Sequence, residues 1–184
     1  MMICIALLRG INVSGKRMVK MNDLKVLFES LELKNVRTYL QSGNVVFDCD
    51  DKTIEIIGKR IEETILQELH LSVPVILKSS DQVEQILQNN PFLIDRKENI
   101  NHLYVTFLGE QPAEEVIDKL KDTKSSNDEF LLAGKEIYLF CPGGYGNTKL
   151  SNNFFENKLK MTATTRNWRT VNELGVMARS SYTS

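Results

Sequence analysis

Apolar residues in this chain fall into short unbroken runs and longer one-sided stripes. Ile3 to Leu8 is an unbroken run, which predicts a buried strand. Asn22 suits a helix N-cap, and Leu24, Leu27, Phe28 and Leu31 then follow the i, i+3, i+4, i+7 spacing of an amphipathic helix. Val36, Thr38 and Leu40 alternate with Arg37, Tyr39 and Gln41, the period of a half-buried strand. Ser42-Gly43-Asn44 is turn chemistry, and Val45-Val46-Phe47 resumes the strand, so the pair predicts a hairpin. Ile54, Ile57, Ile61, Ile65 and Leu69 stripe a long helix, and Val73 to Leu77 predicts a fourth strand. The order is β-α-β-β-α-β, the split βαβ arrangement called ferredoxin-like.

The order then begins again. A third helix carries Val83, Ile86 and Leu87 on one face and stops at Pro91. A strand is predicted at Leu103 to Leu108, and a helix entered at Pro112 carries Val116, Ile117 and Leu120. Strands at Glu129–Leu132 and Glu136–Phe140 flank the hairpin signal Ala133-Gly134-Lys135. A glycine-rich loop from Pro142 to Asn147 leads to a helix around Asn153 to Leu159. No clear last strand follows, and the final helix is predicted from about Arg166 to Met177. The fold class is therefore α+β, with two ferredoxin-like halves, antiparallel sheets and an extra C-terminal helix. Residues 1–90 form the first half and 101–178 the second, joined by a linker at 91–100 and ending in a flexible tail at 179–184 as one integrated unit. Element order repeats here, while the sequence does not.

Composition adds limits. The 184 residues are 42% hydrophobic and 26% charged, ordinary for a globular protein. A net charge of −1 and a pI near 6.2 argue against coating nucleic acid by bulk electrostatics. Charge is nevertheless uneven. Arg9 to Lys20 holds four cations and no acid, and Lys158 to Arg169 repeats that pattern. Cys4, Cys49 and Cys141 follow no CxxC spacing, so Cys4 and Cys49 read as buried, inert thiols in a reducing compartment. Met1-Met2-Ile3-Cys4 lacks a basic n-region, and no apolar run nears the ~20 residues of a membrane span. A cytoplasmic location without a membrane partner is expected; oligomeric state is not legible.

Three segments carry candidate chemistry. In Leu7-Leu8-Arg9-Gly10-Ile11-Asn12-Val13-Ser14-Gly15-Lys16 a strand empties into a loop whose glycines allow tight folding. Inward-pointing amides beside Arg9 and Lys16 would make an anion site. Gly10-x-x-x-x-Gly15-Lys16 matches most of a Walker A loop. Arg17 stands where Ser or Thr is required, and Met18 and Val19 precede the helix, so the match is a decoy. In Thr164-Thr165-Arg166-Asn167-Trp168-Arg169-Thr170, Thr165 is placed as N-cap, with Arg166 and Arg169 on one helix face able to clamp an anion. Burial of Trp168, with the arginines paired to surface acids, is the structural alternative.

Other chemistries find less. Tyr104, Tyr138 and Phe140 are expected on one face of the second sheet, the stacking arrangement of RNA-recognition domains, although the flanking pattern of those domains is absent. The two histidines, His70 and His102, lie in different elements without ligand spacing, so no metal or cofactor is called for. No Gly-x-Ser-x-Gly elbow is present.

Together, Leu8-Arg9-Gly10-Ile11-Asn12-Val13 with Gly15-Lys16, Tyr39-Leu40-Gln41-Ser42-Gly43-Asn44-Val45, and Thr164 to Thr170 make the chain resemble the bacterial domain-of-unknown-function family 1697. The resemblance covers nearly the whole chain and implies two ferredoxin-like halves, without implying an activity. The family commonly has a glycine where this chain has Ser14, and Asn where it has Arg17. Signature residues of this polar kind suggest a shared pocket for a small anionic or phosphorylated ligand. Its residues would be Arg9, Gly10, Asn12, Gly15, Lys16, Gln41, Ser42, Asn44, Arg166, Asn167 and Arg169. The alternatives are an enzyme acting on a phosphorylated metabolite, an RNA or single-stranded nucleic-acid binder, and a structural or partner-binding module.

Overall fold

Strand β1 (Met2–Leu8) buries every residue from Ile3 to Leu8, as its unbroken apolar run predicts. The computed structural model describes residues 2–13, 15–50, 54–121 and 127–180. The chain divides into two units, Met1–Gln85 with Glu173–Ser184, and Ile86–Asn172.

In the first unit β1 is followed by α1 (Met21–Ser30), β2 (Lys34–Tyr39), β3 (Asn44–Cys49), α2 (Ile54–Leu69) and β4 (Val75–Ser79). The sheet runs β2-β3-β1-β4 with every pair antiparallel. Leu24 and Phe28 of α1 and Ile61 and Ile65 of α2 bury against Cys4, Ala6 and Leu8 on one face of β1. Helix α1 begins at Met21, and Lys20 at its N-cap provides no side-chain bond, so Asn22 lies inside the helix instead of capping it. Strand β4 begins two residues later than the apolar run suggests. Pro74 has no N–H for a ladder, and its carbonyl instead accepts from the Arg9 amide at 2.8 Å.

Helix α3 (Ser80–Gln88) leads into the second unit. The stretch 91–100, expected as a linker, holds the short helix α4 (Pro91–Ile94), capped by Asn90 and burying Phe92. The unit continues with β5 (Leu103–Leu108), α5 (Glu114–Lys121), β6 (Glu129–Ala133), β7 (Glu136–Phe140), α6 (Asn152–Leu159) and β8 (Ala163–Asn167). Its sheet order, β6-β7-β5-β8, repeats that of the first unit. Strand β8 supplies the last strand that the sequence did not reveal. Helix α7 therefore starts at Trp168 and runs to Arg179; of the expected tail, 181–184 lie outside the described residues. No helix among the described residues is long and apolar enough to cross a membrane.

Equivalent bonds register the two units. Leu8 N–H donates to Gly43 O at 2.8 Å, and Leu108 N–H to Lys135 O at 2.9 Å. Arg9 N–H donates to Pro74 O, and Gly109 N–H to Thr162 O at 2.9 Å. The scaffold is thus the same in both, but its connections differ. Residues 9–20 join the first strand to its helix in the first unit, whereas 109–113 suffice in the second.

The cysteine expectation needs correction. Cys4 and Cys49 are joined by a disulfide, with Cα atoms 5.9 Å apart. Cys4 faces Phe47 across the β1–β3 ladder, so Cys49 is its diagonal neighbour on the same face. Cys141 is a buried free thiol whose pKa burial pushes up to about 11; Asp128 adds to the rise and a hydrogen bond from Thr148 opposes it. Its folded pKa exceeds its unfolded value of 9.0, so its contribution to stability is full below pH 9 and is lost as pH rises toward 11. A chromogenic disulfide reagent at pH 8 is expected to find no thiol in the native protein, one in denaturant, and three after reduction. Three thiols in denaturant without reduction would contradict the Cys4–Cys49 bond.

Candidate functional site

The segment after β1 folds back on itself as a small hairpin. Gly10 (φ 72°), Asn12 (φ 54°), Gly15 (φ 72°) and Arg17 (φ 49°) all take left-handed backbone angles. Asn12 N–H donates to Arg17 O at 3.1 Å, and Lys16 N–H to Val13 O at 3.0 Å. Ser14 lies outside the described residues.

Asn12 is the brace of this hairpin. Its Oδ1 accepts from Val19 N–H at 2.7 Å, while Nδ2 donates to Val19 O at 2.9 Å and to Gln41 O at 2.8 Å. The Asn12 side chain therefore ties the hairpin to Val19 and to the β2–β3 turn.

The first two sequence motifs do meet, through the Asn12–Gln41 bond and at Gly43. Gly43 is buried with φ 75°, and a Cβ there would come within 2.7 Å of Ile11 Cδ1 and 2.8 Å of Leu8 Cβ. Asn44 is fully buried and donates to Tyr39 O (2.9 Å) and Ser42 Oγ (3.0 Å), which holds the β2–β3 turn closed. Asn12, Gly43 and Asn44 thus build the platform. Lys16, Gln41 and Ser42 are exposed upon it and Arg9 is half-buried. Arg17 and Lys20, outside the expected set, are exposed on the same hairpin. The signal that could have found them was the absence of any acid from Arg9 to Lys20.

In the third motif, in the second unit, Trp168 is buried, as the structural alternative expected, but the predicted cap and arginine pair are not as expected. Thr164 to Asn167 belong to β8, so Arg166 is a strand residue and does not share a helix face with Arg169. Arg166 is buried, donating to Thr164 Oγ1 (2.7 Å) and Thr165 O (2.9 Å), whereas Arg169 is exposed. The cap of α7 is Asn167, whose Oδ1 accepts from Thr170 N–H at 2.7 Å, rather than Thr165. Thr165 instead centres a polar cluster. Its Oγ1 lies 2.7 Å from Thr106 Oγ1, 2.5 Å from Asn152 Oδ1 and 2.9 Å from the Tyr145 hydroxyl. The glycine-rich loop serves to bring Tyr145 there.

The stacking face is also corrected. Tyr138 pairs with Val105 and Phe140 with Leu103, so Tyr104, between those partners on β5, points to the opposite face. Tyr138 is buried, its hydroxyl donating to Ile86 O at 3.2 Å, and Phe140 packs against Phe92 and the Arg96 guanidinium.

A cavity of about 450 Å³ opens in the first unit between the end of α1, the end of β3 and α2. Glu32, Asp48 and Asp50 line it along with Lys34 and Arg60, a mixed charge that does not select anions, and it contains none of the expected site residues. Among the described residues no group of three or more His, Cys, Asp or Glu is arranged to hold a metal ion.

Comparison with known proteins agrees with this architecture. The conserved bacterial protein SP0830 from Streptococcus pneumoniae has a similar fold, with a TM-score of 0.75 and 24% identity over 96% of this chain and 98% of that one. No curated protein matches. A family model described as "Protein of unknown function (DUF1697)" matches residues 1–138, which include the first two motifs and end before the third. The chain belongs to that family of proteins of unknown function.

Proposed function

We propose that the hairpin after β1, with the β2–β3 turn beside it, binds an anionic, phosphorylated group. One observation carries this reading. The same scaffold connects its first strand and helix with residues 109–113 in one unit, but with 9–20 in the other, where the added length brings cations and no acid. The fold does not require that length. Arg9, Lys16, Arg17 and Lys20 supply the charge, while Gln41 and Ser42 on the adjoining turn supply exposed polar groups. Gly10, Gly15, Asn12 and Asn44 position them. No acid or histidine occurs in 9–20 or 40–44, so these segments offer binding without an evident general base.

The test is a thermal-shift series with phosphate, pyrophosphate and nucleoside triphosphates at low salt, on the wild type and a Lys16→Gln/Arg17→Gln variant. The expected result is a ligand-dependent rise in the wild-type midpoint that the variant loses. Because both side chains are exposed, the unliganded variant should melt within about 1 °C of wild type, a surface change of under ~0.5 kcal/mol. Equal shifts in both proteins, or none in either, would refute the site.

A further inference from the structure

We infer that the phosphate recognised by this hairpin belongs to a single-stranded nucleic acid; this rests on the anion-binding reading above. Small phosphorylated metabolites are usually held in clefts that bury most of their surface. Here Lys16, Arg17 and Lys20 are exposed on a hairpin. Several exposed cations suit a polyanion, whose repeated phosphates release counterions at each contact. Exposed aliphatic side chains accompany the charge. Val13 (57%), Met18 (69%) and Leu40 (52%) are exposed large hydrophobic residues, and each lies on the hairpin or the adjoining turn. A phosphate backbone alone gives such residues nothing to cover, whereas an unpaired strand presents base faces as well. Gln41 adds an exposed amide side chain suited to base edges or ribose. The aromatic face of the second sheet plays no part.

Fluorescence anisotropy with labelled oligouridylate and oligothymidylate of about twelve nucleotides, titrated over a salt series, tests this. Four phosphate contacts predict a slope of log K against log salt of about −2.8, falling to about −1.4 in Lys16→Gln/Arg17→Gln, which leaves Arg9 and Lys20. Met18→Ser should weaken binding without changing the slope. Preference for oligouridylate over oligothymidylate would identify RNA, and equal binding would identify single strands of either kind; both support the inference. Equal affinity for poly-L-glutamate, or a slope unchanged in the double variant, would overturn it. Midpoint shifts with pyrophosphate but no oligonucleotide binding would overturn this inference and leave the anion site standing. Failure of both ligands would remove both.

Discussion

Gly43→Ala is expected to be among the most damaging single-methyl changes in the first unit. The φ of 75° costs a side-chain-bearing residue roughly 1 kcal/mol. The new Cβ would stand 2.7 Å from Ile11 Cδ1 and 2.8 Å from Leu8 Cβ, and overpacking of this kind costs a further ~1–3 kcal/mol. The Leu8–Gly43 backbone bond limits how far the turn can retreat. A total loss of about 2–4 kcal/mol should appear as a lower urea midpoint. Gly10→Ala and Gly15→Ala provide the scale. They share the positive φ, but a Cβ on Gly10 meets nothing nearer than the Arg17 guanidinium at 3.6 Å, and one on Gly15 meets nothing within 4 Å. Each should lose only about 1 kcal/mol. If Gly43→Ala were as mild as these two, the turn would not be clamped against Leu8 and Ile11.

Asn12→Ala is expected to cost about 2–3 kcal/mol. Three part-buried or surface bonds vanish together, and Val19 N–H, Val19 O and Gln41 O lose their partner. Asn12→Asp keeps the acceptor but loses both donors, turning a carboxylate toward two carbonyls, so it should not rescue. Asn12→Gly relieves the φ of 54° and should be milder than alanine. Urea unfolding of the three variants gives the ranking. An Asn12→Ala protein as stable as wild type would show that the hairpin folds without its brace. The two kinds of substitution separate roles: Lys16 and Arg17 should change binding with stability intact, whereas Asn12 should change stability first.

Much of the scaffold was legible because its signals are local. Ile3–Leu8 and Leu103–Leu108 are unbroken apolar strands, and the stripes of α1 and α2 follow the helical period. β8 was hidden because its buried positions are Ala163, Thr164 and Arg166, of which only the small Ala163 is apolar, although its two threonines favour strands. The Cys4–Cys49 bond depends on a strand register that cysteine spacing does not reveal. At the site, the sequence singled out Asn12 and the Gln41–Asn44 turn, which the Asn12–Gln41 bond brings together. It could not show that Asn12 points inward, because its decisive bond reaches Gln41, 29 residues away. Polar residues in a signature motif can be there to hold a loop. Here the cations on that loop's outside carry the charge.

The most direct measurement is a titration of the 15N-labelled protein with pyrophosphate, followed by amide chemical shifts. The predicted result is saturable shifts confined to residues 9–20 and 40–44, absent in Lys16→Gln/Arg17→Gln. Shifts centred instead on the cavity beside Leu33 and Arg60, or none at all at saturating pyrophosphate, would contradict the assignment of the hairpin as the anion site.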